Sequence, residues 1–204
     1  MIPHLILVAG PSGGGKSTFM KRLSAGDLSN EIVRTLTIEA VGWPQTDCKT
    51  FLRDKQANLW DDLQGVVCHY DIMRPFSLRF DGYADDPGLT VLDAAKKKTI
   101  VSILPRSEWL VEQFCRRAEA ERSSKSANAW RRFLNRLQLR DANVLKPNHK
   151  RLLSHYRDAD WLQQRYDEWL AHVSSLCCAS ADCEALRIDR PEHRTNGAAF
   201  RLYR

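Results

Sequence analysis

Nine residues near the amino terminus constrain this chain more than any others: Gly10-Pro11-Ser12-Gly13-Gly14-Gly15-Lys16-Ser17-Thr18. The apolar run Leu5-Ile6-Leu7-Val8-Ala9 precedes them and reads as a strand buried on both faces, while Lys16 to about Ala25 reads as a helix with Phe19, Met20 and Leu23 inward and Gly26-Asp27 at its end. A strand, a glycine loop and a helix start, in that order, is the setting in which G-x-x-x-x-G-K-[ST] cradles phosphate. Glycines adopt backbone angles closed to other residues, so the N–H groups from Gly13 to Lys16 can line a concavity, and the helix start adds its unpaired N–H groups and positive dipole end. Gly10, Ser12, Gly13, Gly14, Gly15, Lys16, Ser17 and Thr18 are thus the expected nucleotide-binding residues. Lys16 would reach the β- and γ-phosphates, Ser17 would ligate Mg²⁺ and Thr18 would contact the α-phosphate.

A chain of 204 residues with 43% hydrophobic and 27% charged residues suits a single globular domain and excludes a disordered one. Met1-Ile2-Pro3-His4 leads directly into the first strand, so neither a signal peptide nor a membrane span is expected and a cytoplasmic location is. Six cysteines without paired C-x-x-C spacing read as reduced thiols, and Cys177, Cys178 and Cys183 with His172 or His193 lack the ligand spacing of a zinc site. A net charge of +6 favours an anionic substrate such as a nucleotide, a sugar phosphate or a nucleic-acid end, although no aromatic-basic recognition module accompanies it.

Along the chain, Glu31 to Ala40 is rich in β-branched residues and predicts a strand, and Thr50 to Leu63 predicts a helix. Val66 to Asp71 reads as a central parallel strand ending in a carboxylate, Leu89 to Lys96 as a short helix, and Thr99 to Leu104 as another buried strand stopped by Pro105. Ser107 is the expected N-cap of a helix through Arg122 with Leu110, Val111, Phe114 and Ala118 inward. Trp130, Phe133, Leu134 and Leu137 form a further apolar stripe, and His155 to Leu176 reads as one long amphipathic helix. Ala185 to Asp189 closes the series, giving five strands alternating mostly with helices. The expected class is therefore α/β: a three-layer α/β/α arrangement with a five-stranded parallel sheet.

On the acceptor side, Asp71 is the expected carboxylate. It either orients or deprotonates an acceptor hydroxyl, holds Mg²⁺ as a Walker B aspartate does, or merely caps a turn. His69 alternates with Asp71 and so faces the same side of the sheet, where it reads either as a contact for a polyol or phosphate acceptor or as a hydrogen-bonded core residue, and Arg74 is placed to clamp an acceptor anion. Asp93, after Leu89-Thr90-Val91-Leu92, is a lower-ranked acidic candidate, and Arg106, just past a strand tip, a weaker basic one. Arg116, Arg117, Arg122 and Lys125 read either as a lid over the phosphates or as a solvated helix face.

These features resemble the P-loop NTPase superfamily, and within it the nucleoside- and nucleotide-kinase-like branch. The glycine loop is similar to that of guanylate kinases. Thr99 to Leu104, Pro105 and the helix bearing Arg116, Arg117 and Arg122 look like the strand, helix and arginine-bearing lid of these kinases, a helical lid around 115–150. The late strand followed by Arg190-Pro191 corresponds to the loop where such kinases often hold adenine. The guanylate kinase likeness does not extend to its substrate-binding arginine and tyrosine pattern, which is missing between Glu31 and Trp60. The resemblance implies catalytic roles for Lys16, Asp71, Arg116 and Arg117, nucleotide contacts from Arg122 and Arg190, acceptor contacts from His69 and Arg74, and Mg²⁺ at Ser17 and Asp71. The expected activity is transfer of the γ-phosphate of ATP to a nucleoside, nucleotide or sugar. The alternatives are a polynucleotide-end kinase and a non-kinase ATPase or switch, the latter without an N-K-x-D guanine motif.

Overall fold

Ile2–Gly10 carries one charged or titratable side chain, His4, and everything from His4 onward is buried. A strand with no polar face must be covered on both sides, and it occupies the centre of the sheet. The computed structural model describes residues 1–28, 31–55, 59–60, 62–74, 82–126 and 147–189, with the backbone alone at 31, 32, 117–126 and 147–151. The elements are β1 (Ile2–Gly10), α1 (Lys16–Ala25), α2 (Glu31–Glu39), β2 (Gln45–Asp47), α3 (Cys48–Lys55), β3 (Gly65–Asp71), a 3₁₀ helix (Pro87–Ala94), β4 (Ala95–Ile103), α4 (Ser107–Ser126), α5 (Pro147–Arg157), α6 (Ala159–Ala179) and β5 (Cys183–Ile188). The five strands form one all-parallel sheet in the order β2-β3-β1-β4-β5. The fold is α/β, with helices against the sheet.

One face of the sheet presents Ile6, Val8, Val67, Val101, Ile103, Leu186 and Ile188 to Phe19, Met20 and Leu23 of α1 and to Val33 and Leu36 of α2. On the other face Trp169 of α6 is fully buried, stacked on Tyr70 with ring centroids 5.5 Å apart and edge-on to Tyr83 at 5.0 Å. Its indole N–H donates to the Ser102 hydroxyl at 2.9 Å, so the polar atom of the ring is satisfied.

The main departure from the sequence reading is Glu31–Glu39, which is a helix and not the expected strand. Val33, Leu36, Thr37 and Ala40 are buried while Arg34, Thr35, Ile38 and Glu39 are exposed, a period of 3.6 that overrides the β-branched composition. The Thr37 hydroxyl is absorbed by donating to the Val33 carbonyl at 2.7 Å. The fifth strand is instead the three-residue β2, paired with β3. The helix expected from Thr50 to Leu63 is shorter and earlier, Cys48–Lys55, because Asp47 caps it: its carboxylate accepts the Thr50 N–H at 3.0 Å and the Thr50 hydroxyl at 2.7 Å. The short helix expected at Leu89 to Lys96 is a 3₁₀ helix begun by Asp86 and Pro87, and Lys96 belongs to β4.

The chain divides into two compact units, Met1–Pro105 with Arg165–Arg204, and Arg106–Gln164. The first holds the sheet. In the second, the Arg106 carbonyl accepts the first helical bond of α4, so Arg106 and not Ser107 sits at the cap; the Ser107 hydroxyl donates to the Tyr156 carbonyl of α5 instead. Phe114 meets Tyr156 edge-on at 5.4 Å. The single helix expected from His155 to Leu176 is two, because Asp158 ends one and caps the next, accepting the Trp161 N–H on its side chain at 3.0 Å and the Leu162 N–H on its carbonyl at 3.1 Å. Ala118 has no described side chain, and the Trp130 to Leu137 stripe lies outside the described residues. No helix among the described residues is long and apolar enough to cross a membrane.

Trp169→Ala removes a wholly enclosed indole and leaves the Ser102 hydroxyl unpaired, and is expected to cost about 3–5 kcal/mol of stability. Trp169→Phe should cost less than the alanine change; denaturant unfolding of the pair checks both.

Candidate nucleotide site at the carboxyl edge of the sheet

The order β2-β3-β1-β4-β5 sends the connection from β1 towards one edge and that from β4 towards the other. In open α/β sheets the crevice for ligand lies outside the carboxyl ends of the strands at such a switch. Here it is marked by Gly10 at the end of β1 and Ile103 at the end of β4. A Cβ on Gly10 would lie 2.4 Å from the Ile103 carbonyl oxygen, so the two strand ends meet this closely only because residue 10 has no side chain.

From Gly10 the chain turns at once. The Gly14 N–H donates to the Pro11 carbonyl at 3.0 Å, and Gly13 and Gly15 have φ of 86° and 92°, in the left-handed region that glycine enters without strain. Gly15 is the N-cap of α1 and supplies no side-chain cap, and the Phe19 N–H bonds to its carbonyl at 3.0 Å. The first turn of α1 carries no acidic residue. Its amino end thus offers backbone donors and dipole to an anion. The Lys16 side chain is buried against the loop and donates to the carbonyls of Gly10 at 2.7 Å and Pro11 at 2.8 Å. Ser17 and Thr18 are exposed on the first turn.

Asp71 is in register with Gly10 across β3 and β1, and the Ile72 N–H donates to the Gly10 carbonyl at 3.2 Å. Asp71 does cap a turn, its Oδ1 accepting the Met73 N–H at 3.0 Å, and it does so at the mouth of the glycine loop. His69, in register with Val8 of β1 and Asp47 of β2, shares that face. Burial and the Lys16 charge lower the His69 pKa from its ordinary value of 6.5, against opposing pulls from Asp47 and Asp71. The ring is neutral at pH 7 and is an acceptor as well as a donor.

Asp47 is the residue that the sequence reading missed. It ends β2 opposite His69, and although burial pushes its carboxyl up, the two bonds from Thr50 and the neighbouring His69 bring it below the usual carboxylate range. It is ionised, on the same face as His69. The signal was Asp47-x-x-Thr50, an N-cap pattern hidden by reading the helix from Thr50 onward.

Other expected residues stand elsewhere. Arg74 is half-buried, and its Nε lies 3.1 Å from the carboxylate of Asp86, whose side chain is wholly enclosed and also accepts the Tyr70 hydroxyl at 2.7 Å and the Gly88 N–H at 2.7 Å. This places Arg74, three residues after Asp71, in a buried structural network. Asp93 is exposed on the 3₁₀ helix, not at a strand tip. Arg116 lies on α4 in the second unit, paired with Glu112 at 2.5 Å, and Arg106 is exposed at the start of that unit. Arg117, Arg122 and Lys125 also fall on α4, without described side chains, and Arg190 lies outside the described residues.

Among the described residues no group of three or more His, Cys, Asp or Glu side chains is arranged to hold a metal. The donor set here is the kind Mg²⁺ uses with a bound polyphosphate: one hydroxyl, one carboxylate, and the remaining ligands from phosphate and water. Ser17 and Asp71 fit it. Compared with protein-family models and with curated proteins, the chain matches none.

His69 is expected to titrate below 6.5 in an NMR pH series. A histidine whose folded pKa is depressed contributes stability that is present above the unfolded value and is lost as pH falls through the folded one. The stability lost on acidification below about pH 6.5 should therefore shrink in His69→Gln, measured by denaturant midpoints across pH.

Proposed function

We propose that this chain is an ATP- and Mg²⁺-dependent phosphotransferase of the P-loop kinase kind, acting on a small polyol or phosphate-bearing acceptor. The observation that carries the reading is the register of Gly10 with Asp71, which sets a phosphate-type loop and a carboxylate side by side at the carboxyl edge of one sheet. Phosphoryl transfer asks the protein for little covalent chemistry and much positioning. The loop N–H groups and Lys16 would neutralise and align the donor phosphates. Lys16 exchanges two carbonyl acceptors for phosphate oxygens when it does so. Ser17, with Asp71, would hold the magnesium ion, which supplies charge neutralisation at the β- and γ-oxygens.

In this reading Asp71 would also meet the acceptor hydroxyl, which as a carboxylate it can orient or deprotonate. Neutral His69 and ionised Asp47, next along the same edge, supply hydrogen-bond acceptors suited to hydroxyl groups. The net charge of +6 favours an anionic partner. From the kinase resemblance alone the proposal takes catalytic roles for Arg116 and Arg117 and nucleotide contacts for Arg122 and Arg190.

A screen of nucleosides, nucleotides, sugars and oligonucleotide ends with γ-labelled ATP tests the reading. Label should pass to one acceptor class and not to water; steady acceptor-independent hydrolysis points instead to an ATPase or switch, and labelling of oligonucleotide ends to a polynucleotide kinase. Lys16→Ala is expected to abolish turnover and the thermal stabilisation given by ATP with Mg²⁺. Asp71→Asn should keep nucleotide binding and lower turnover by ~10²-fold or more, read from kcat and a binding isotherm on the same preparation.

A further inference from the structure

At the opposite end of the sheet from the glycine loop, α6 ends at Ala179 and the chain reverses through Ser180, Ala181 and Asp182, the Cys183 N–H closing the turn on the Ser180 carbonyl at 3.2 Å. The turn is anchored to the sheet by the Lys98 N–H, which donates to the Asp182 carbonyl at 2.8 Å, and by the pairing of Cys183 with Lys98 at the start of that ladder. Cys177 falls one helical turn after Val173, which is buried in the core, so its side chain faces the sheet; Cys178, rotated about 100° further round the helix, is exposed. The outcome is a contact between the Cys177 and Cys183 sulfurs at 3.1 Å, both partly buried. Two sulfurs joined covalently stand about 2.05 Å apart, so closing the pair needs a movement of about 1 Å. The anchored turn on one side and the helix on the other hold the two sulfurs in contact.

We propose that Cys177 and Cys183 form a redox-active dithiol, a site of reversible disulfide formation by exchange with a small-molecule disulfide of the glutathione type. The Cys177 thiolate attacks one sulfur of that disulfide, whose S–S bond breaks and whose other half leaves as a thiolate that takes up a proton. Cys183 then loses its proton and attacks the Cys177 sulfur, forming the internal S–S bond and releasing the second small thiol. Two protein thiols are oxidised while one external disulfide is reduced to two thiols. Burial and the neighbouring Cys177 push the Cys183 thiol up, so Cys183 is written here as the resolving thiol, with the first attack from Cys177. Lys98 opposes that shift and lies where it can stabilise the Cys183 thiolate in the second step. The closed bridge ties the last turn of α6 to the edge strand β5. It lies away from Gly10 and Asp71, so the inference is independent of the proposed phosphotransferase.

The test incubates the full-length protein in its native state with oxidised glutathione, traps remaining thiols by alkylation and maps the peptides by mass spectrometry. The expected product is a Cys177–Cys183 bridge, with those two cysteines losing alkylation together and regaining it after dithiothreitol. Cys178→Ser should leave that bridge unchanged, and Cys183→Ser should yield glutathione retained on Cys177. The proposal is overturned if Cys177 and Cys183 stay alkylatable while Cys115 or Cys178 is modified, if the bridge found involves Cys178, or if oxidation yields only disulfide-linked dimers. Mapping of the unsubstituted protein decides the matter even where a serine variant fails to fold.

Discussion

The hydrogen-bonded ladder between β1 and β3 is the constraint on which the rest depends. Parallel pairing fixes which residues stand side by side, and a slip of one residue would carry every side chain to the other face. As the register stands, Gly10 is beside Asp71, Val8 beside His69 and Ile6 beside Val67. One face of the sheet is therefore apolar through its body, against α1, and turns polar at its carboxyl edge. The glycine loop begins where that change occurs. Gly10 has a second duty there, since the Ile103 carbonyl leaves no room for a Cβ.

The glycine loop, α1, β3 and the core of β4 were legible in the sequence because each has a strong local signal: a spaced motif, or an apolar run whose length and flanks allow one reading. Glu31–Glu39 was not, because Ile32, Val33, Thr35, Thr37 and Ile38 have the composition of a strand while burial follows the period of a helix, and the packing surface decides. Asp158 breaks a stripe that looks continuous from Tyr156 to Val173, since apolar spacing does not record that a carboxylate has become a cap. Within the candidate site, the positions of Lys16 and Ser17 at the start of α1 and of Asp71 at the end of β3 could be read from the chain alone. Asp47 could not, because β2 is three polar residues whose only claim to be a strand is the neighbour they pair with.

Arg74 carries a related lesson. After a strand-end carboxylate an arginine reads as an anion clamp, yet Asp86, twelve residues later and wholly enclosed, is a buried charge that demands a partner. Together with the Tyr70 hydroxyl and the Gly88 N–H, that ion pair anchors the chain on the far side of β3, where α6 packs. Charge near this sheet edge thus serves one structural purpose, closed around Asp86, and in the proposed reading a second, at His69 and Asp71.

Both purposes run through a single strand. Tyr70 stacks on Trp169, with Cys68 and Ile72 buried two residues to either side of it, whereas His69 and Asp71 are half-buried in register with Val8 and Gly10. Across these five positions, tolerance of substitution should alternate with a period of two: bulk and shape are required at the even positions, and charge and hydrogen-bonding capacity at the odd ones. Substitution at His69 and Asp71 would therefore leave the core undisturbed, so one strand joins a face fixed by packing to a face free to vary.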